Sequence, residues 1–160
     1  MHHCFPPVTR ADTRLLVLGS LPGMASLAAG RYYAHPRNQF WRLIGDAIGS
    51  DLVALDYEER LAALLDAGVG LWDSVAAATR KGSLDADIRL LAASDLAALA
   101  ATLPSLKAVA FNGGTSARIG RRQLGEINNV ALIDLPSSSP AYTLAYERKR
   151  AQWRKLAAFL

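Results

Sequence analysis

The stretch LLVLGSLPGMASLAAGRYYAHPRNQFWRLI, Leu15–Ile44, decides the fold. It opens on an apolar run, Leu15–Leu18, short enough for a strand and uniform enough to be covered on both faces. The run breaks at Gly19-Ser20-Leu21-Pro22-Gly23, where glycine and proline force a turn. Tyr32 and Tyr33 follow, then the polar group His35, Pro36, Arg37, Asn38 and Gln39. From Asn38 the spacing of Phe40, Trp41, Ile44, Ala47 and Ile48 predicts a helix that stops near Gly49. A buried strand, a Gly/Pro turn at its end, and a loop of rings and amides before a helix form a ligand-site layout. In open α/β sheets ligands sit outside the carboxyl ends of the strands.

Downstream the alternation continues. Tyr57–Ala67 predicts a helix with Leu61, Leu64 and Leu65 facing inward and Gly68 as its stop. Val69–Val75 (VGLWDSV) reads as a strand or a strand plus a turn, followed by the mobile-looking TRKGSLDADI, Thr79–Ile88. Ser94 or Asp95 caps a helix through Thr102, which Pro104 prevents from continuing. Leu106–Asn112 is a clear strand ended by Gly113-Gly114, and a basic helix with Arg118, Arg121 and Arg122 follows. Val130–Leu135 is the last strand and runs into Pro136-Ser137-Ser138-Ser139-Pro140. Thr143–Leu160 closes the chain as a helix carrying Trp153, Leu156, Ala157 and Leu160. Strands alternating with helices predict an α/β fold: a three-layer α/β/α sandwich around a central, mainly parallel four-stranded sheet.

With 160 residues, no internal repeat and no linker, the chain reads as a single domain over 1–160, its first twelve residues flexible or loosely packed. Hydrophobic content of 51% with 20% charged residues fits a globular protein and excludes a disordered one. A net charge of +4 suits a polyanionic partner. The single cysteine, Cys4, excludes an intrachain disulfide and any cysteine-ligated iron–sulfur cluster within one chain, which makes a cytoplasmic home the default. The N-terminus has no apolar core of signal-peptide length, and no later run reaches a membrane span. His2, His3 and Cys4 could ligate a metal. A solvated tail is the better reading, because no second ligand cluster lies downstream. No metal, no other cofactor and a monomeric state are the expectation.

Three strand ends carry special turns: GSLPG, Asn112-Gly113-Gly114 and PSSSP. Parallel strands point their carboxyl ends the same way, so the turns should share one rim. PSSSP offers hydroxyls and backbone N–H groups as a phosphate seat, or caps the last helix. Arg148, Lys149 and Arg150 then either contact phosphates or form a solvated face. One of Tyr32 and Tyr33 is expected to fill the core and the other to stack on a flat ligand. Such stacking is worth roughly 1–3 kcal/mol per base. No paired carboxylates stand near the turns, which disfavours a two-carboxylate glycosidase. Walker and GxGxxG motifs and a nucleophilic serine elbow are absent, and His35 is the one histidine in a site position. That leaves the amides of Asn38 and Asn112. An amide orients a water or reads a heterocycle edge but is no strong base. Such a site suits a bond that breaks largely by itself once its leaving group is stabilised, and an N-glycosidic bond is of that kind.

GSLPG, YYAHPRNQFW, FNGG and PSSSPAY, in that order from Leu15 to at least Tyr146, resemble the uracil-DNA glycosylase superfamily, most of all its hypoxanthine-DNA glycosylase branch (family 6). The mismatch-specific uracil/thymine glycosylases are its nearest cousins. The resemblance implies a monofunctional enzyme that flips a deaminated base, hypoxanthine first and mismatched uracil second, out of double-stranded DNA and hydrolyses its bond to the sugar. The cousins hold a catalytic Asn where this chain has Leu21, other branches an acid there or close by, and many uracil-specific members a His at the start of the last motif, where this chain has Pro136-Ser137. In the hypoxanthine branch the catalytic amide belongs to YYxHPRN, which makes Asn38 the water-positioning residue. Carried over in the same way, Gly19, Ser20, Leu21, Pro22, Gly23, Tyr32, Tyr33, His35, Phe40 and Asn112 form the base pocket. The spacing of Phe40 within its helix also makes it core. Ser137, Ser138 and Ser139 grip flanking phosphates, Pro140 and Tyr142 fill or wedge the gap, and Arg148 and Lys149 bind DNA. Two rival readings stay open: an α/β enzyme of a small nucleotide or sugar phosphate, and an inactive DNA-binding member of the same fold.

Overall fold

β2, Leu15–Gly19, lies at the middle of a four-stranded sheet, and its side chains are buried on both faces. The computed structural model describes residues 2–80 and 88–160. β2 pairs in parallel with β3 (Val69–Asp73) on one side and β6 (Ala108–Asn112) on the other, and β7 (Ala131–Leu135) extends the sheet beyond β6. The order is β3-β2-β6-β7, parallel throughout. Successive residues of a strand point to opposite faces. Leu15, Val17, Val69, Leu71, Ala108 and Ala110 therefore pack on one side, against α2 (Phe40–Ile48), α3 (Tyr57–Asp66), α6 (Tyr146–Trp153) and the 3-10 segment Arg154–Phe159. Leu16, Leu18, Val109 and Phe111 pack on the other, against α4 (Leu96–Ala101) and α5 (Gly114–Leu124). This is the three-layer α/β/α sandwich that the alternation of elements predicts.

Local chemistry explains the element boundaries. α2 ends at Gly49 in the left-handed region, φ 74°, where glycine carries no Cβ penalty. Asp56 and Glu59 close a capping box around the first turn of α3. Asp95 rather than Ser94 caps α4, accepting from the Ala98 N–H. α5 approaches β6 so closely that a Cβ on Gly120 would collide with the Phe111 ring.

Three regions differ from the sequence reading. β4 (Val75–Arg80) and β5 (Ile88–Ala93) pair antiparallel, and β1 (His2–His3) adds to β4, so the ends of the mobile-looking Thr79–Ile88 segment lie in strands. Its centre, 81–87, lies outside the described residues, and with it Asp85. The first twelve residues are not a loose tail. Val8 exchanges backbone hydrogen bonds of 2.9 Å with Leu71, and the Phe5 carbonyl accepts from Trp72 Nε1 at 2.9 Å. The apolar side chains of Phe5 and Val8 cover the core, which is why the segment is held. The last helix starts at Tyr146 rather than Thr143 and tightens into a 3-10 helix from Arg154, so PSSSP does not cap it.

Among the described residues no helix is long and apolar enough to cross a membrane, and no group of three or more His, Cys, Asp and Glu could hold a metal.

Candidate functional site

The strand-final residues Gly19, Asp73, Asn112 and Leu135 open together onto one cavity of about 710 Å³, which the GSLPG, Asn112-Gly113-Gly114 and PSSSP turns also line. That volume lies in the range of pockets that hold a small ligand, roughly 300–1,000 Å³.

One wall is aromatic. Tyr33 stacks face to face on Phe40, ring centroids 3.9 Å apart and planes within 9°. Its backbone takes a φ of 53°, a conformation that costs a bulky L residue about 1–3 kcal/mol and is found where structure around it over-determines the geometry. The stack on Phe40 is one such determinant. Tyr33 thereby lines the cavity, whereas Phe40 lies wholly buried behind it; the base-pocket assignment of Phe40 is corrected to support. Tyr32 also reaches the wall, but its hydroxyl donates to the Pro6 carbonyl at 2.9 Å, and burial pushes its pKa well up, so it stays a neutral phenol. Of the two tyrosines, Tyr33 is the one placed to stack on a ligand.

The polar groups are set individually. Asn38 Oδ1 accepts the Phe40 N–H at 2.9 Å at the start of α2. That bond fixes the amide, and a carbonyl oxygen keeps a second lone pair for a water. His35 Nδ1 accepts the Arg37 N–H at 3.0 Å, which puts the proton of a neutral ring on Nε2. Leu21 packs its side chain with Val75 and Ile119, so it lends the cavity mainly backbone.

Asn112 and Ser138 clasp one another. The Asn112 amide donates to Ser138 Oγ and its oxygen accepts the Ser138 N–H, both at 2.9 Å. Ser138 is almost wholly buried, so it braces the loop instead of gripping a phosphate. Further braces hold the same loop: the Ser138 carbonyl accepts from Gln39 N–H at 3.0 Å, Pro136 from Trp153 Nε1 at 2.9 Å, and Ser139 from Lys149 Nζ at 3.2 Å. Ser137 and Ser139 stay at the rim, with Pro140 and the exposed Tyr142 at the mouth.

Lys149 is the clearest correction. It is only 1% exposed, and burial draws its pKa below the ordinary lysine value. A run such as ERKR suggests a solvated face, yet Lys149 sits four residues before the buried Trp153 and shares its side of the helix. Arg148 stays exposed. Arg121 pairs with Asp134 at 3.0 Å and lies over the Phe111 ring, a structural role.

The sequence reading missed Asp73. Its carboxylate is 3% exposed at the cavity wall, so close to β2 that a Cβ on Gly19 would lie 2.6 Å from Asp73 Oδ1 and 3.0 Å from the Tyr33 hydroxyl. Asp73 is Gly19's register partner on the neighbouring strand, a single carboxylate at the turns rather than a pair. Its one signal was a place at the end of an apolar run, like that of Gly19 and Asn112.

The cavity thus combines an aromatic wall, fixed amides and a buried carboxylate, and among the described residues no lysine or arginine lines it. The family model of the uracil DNA glycosylase superfamily matches residues 6–159. The chain belongs to the uracil DNA glycosylase superfamily. A hypoxanthine DNA glycosylase of Methanosarcina barkeri (strain Fusaro / DSM 804) is 38% identical over 151 residues, 93% of each chain. One from Methanosarcina acetivorans is 36% identical over 151 residues with the same coverage. The solution NMR structure of a candidate uracil DNA glycosylase from Methanosarcina acetivorans superposes with a TM-score of 0.85 at 34% identity, covering 97% of this chain and 95% of that one. The superfamily's α/β architecture is the one described here, with a parallel four-stranded sheet flanked by helices.

Proposed function

We propose that this chain is a monofunctional DNA glycosylase that excises hypoxanthine first and uracil in mismatches second. Superfamily membership makes it a hydrolase of N-glycosyl bonds acting on DNA. The observation that carries the finer reading is the cavity itself: a ring, fixed amides and an acidic acceptor at the ends of the parallel strands, with no lysine or arginine among the described lining residues. A flat, neutral heterocycle fits that lining and a free phosphate does not, which disfavours a small-nucleotide enzyme.

In this reading the damaged nucleotide swings out of the duplex, at a cost of a few kcal/mol that is least at a mispaired base. Tyr33, stiffened by Phe40, stacks on the extruded ring. Hypoxanthine and uracil both present a ring N–H beside a carbonyl. Asp73 accepts from such an N–H, while the Asn112 amide, held by Ser138, faces the base edge. The Gly19–Gly23 turn and His35 complete the pocket. Asn38, its oxygen oriented by the Phe40 N–H, positions the attacking water. The bond to the sugar breaks toward an oxocarbenium-like centre with the electron pair leaving on the base, the water oxygen bonds to the sugar carbon, and the proton that the water loses goes to the departed base. Ser137 and Ser139 at the rim contact the flanking backbone, and Pro140 and Tyr142 stand where a wedge fills the vacated stack. Ser138 and Lys149 act from beneath as supports.

The test is a panel of duplexes carrying hypoxanthine, uracil, xanthine or mismatched thymine, scored for alkali-labile abasic sites. Hypoxanthine should be released fastest and mismatched uracil next. A panel with no abasic sites above the uncatalysed background rejects the enzyme and leaves a DNA-binding relative.

A further inference from the structure

Behind the wall formed by Tyr32, Tyr33, His35 and Asn38 lies a second cavity of about 610 Å³, which shares those residues with the first. Arg31, Arg37, Arg42 and Arg60 line it, and among the described residues the one acid of its lining is Asp56. The Asp56 carboxylate is committed to the cap of α3: it accepts the Glu59 N–H at 2.9 Å, a bond that holds its pKa below the usual carboxylate value. Among the described residues none of these arginines makes an ion pair, whereas Arg10, Arg121 and Arg150 all do. Three of the four rest on rings instead. Arg42 lies 3.8 Å from the Tyr146 ring centroid, Arg31 5.3 Å from that of Tyr57 and Arg60 5.4 Å from that of Trp41. Stacking fixes a guanidinium plane and leaves N–H groups on its edge for an oxygen anion. Arg60 spends two of its donors on the Leu52 and Val53 carbonyls, at 2.8 and 3.0 Å, and so closes the floor. Arg31, Arg37 and Arg42 are exposed.

Asp56 offsets part of the charge of Arg31, but four guanidinium groups around one carboxylate still repel one another until a further anion joins them. Rings hold Arg31, Arg42 and Arg60 in place, and the loop that carries Arg37 also carries Asn38.

We propose that this cavity seats the phosphodiester backbone of the substrate strand next to the extruded nucleotide, with Arg31, Arg37 and Arg42 as its phosphate contacts. The strand then passes from the PSSSP rim across the Asn38 wall into the cationic groove. The pull of the groove on the phosphate draws the nucleotide toward the neutral cavity. The inference rests on DNA being the substrate, and it assigns the main electrostatic footprint to this face rather than to Arg148 and Lys149.

The experiment measures binding of an undamaged duplex across a salt series, so that no excision enters the readout. Each phosphate contact contributes roughly 0.9 to the slope of log K against log salt. The triple variant Arg31→Ala/Arg37→Ala/Arg42→Ala should weaken binding at least tenfold at low salt and flatten the slope by about two or more units. The corresponding triple lysine variant, which keeps the charges, should retain most of the slope, and Arg148→Ala should change it by less than one unit. A slope unaltered in the alanine triple overturns the proposal. So does a free deoxynucleoside monophosphate that binds in an arginine-dependent way while duplex affinity stays unchanged. If the wild-type chain binds no duplex at all, the glycosylase reading itself has failed, which is a different result from an arginine-independent slope.

Discussion

Tyr32, Tyr33, His35 and Asn38 form a common wall between two cavities whose far walls have opposite characters. The cavity at the strand ends is lined by a carboxylate, amides and hydroxyls, and the cavity behind the wall by guanidinium groups resting on rings. A polyanion with an uncharged base attached to every unit would divide between them along its own covalent structure, base to one side and backbone to the other. The sheet can build this arrangement because the neutral cavity draws on backbone turns and buried strand-end residues. The cationic one draws mainly on exposed positions in the loop before α2 and in its first turn, where long charged side chains cost the core nothing. The modest net charge of +4 is therefore less informative than its distribution.

The sharpest way to break this division is at the shared wall. Asn38→Ala removes the amide proposed to hold the water but leaves the arginines in place. Excision should fall by a hundredfold or more, the usual scale for deleting one positioned polar group at a reacting centre. Affinity for undamaged duplex should change by less than threefold. Equal losses in both would mean that Asn38 serves binding alone, and near-normal turnover would remove it from the chemistry.

Asp73 tests the neutral side by itself. Asp73→Ala deletes one hydrogen-bond acceptor, worth about 1–3 kcal/mol when its partner is buried, so excision of hypoxanthine should drop roughly tenfold to a hundredfold. The same substitution should leave duplex binding intact. If melting temperature and activity fall together, Asp73 is a structural brace for Gly19 and Tyr33 and not a reader of the base.

Most of the frame was legible in the sequence because its signals are local. Leu15–Leu18, the spacing of Phe40 to Ile48, and Gly49 and Gly68 as stops each declare themselves within a few residues. Family likeness added the order of the motifs. The misses are non-local. Asp73 matters because register sets it beside Gly19, and VGLWDSV alone does not reveal that neighbour. The β4–β5 hairpin escaped because alanine-rich strands with a basic end lack the alternation that marks a half-buried strand. The arginine groove escaped because Arg31, Arg37, Arg42 and Arg60 are scattered through three segments that only packing brings together. Lys149 could have been found from its spacing to Trp153.

Lys149 also offers the smallest effect and the finest test, because it ties the loop of the neutral cavity from below without entering either cavity. Its charge is buried against the Ser139 carbonyl, and desolvation lowers its folded-state pKa below the unfolded value. Below the folded pKa both states carry the proton, and the folded state bears the full cost of burying a charge. As pH rises between the folded and unfolded values, the unfolded chain binds more protons than the folded one, so stability rises with pH across that window. Lys149→Met keeps the stem and removes the titration. The melting temperature of the wild type relative to Lys149→Met should therefore climb by a degree or two between neutral pH and the ordinary lysine pKa, while the salt slope for duplex binding stays the same. A flat difference would mean that the ammonium is solvated in the folded protein. A salt slope that flattens in Lys149→Met would return this lysine to the DNA surface and weaken the case that the arginine groove carries the backbone.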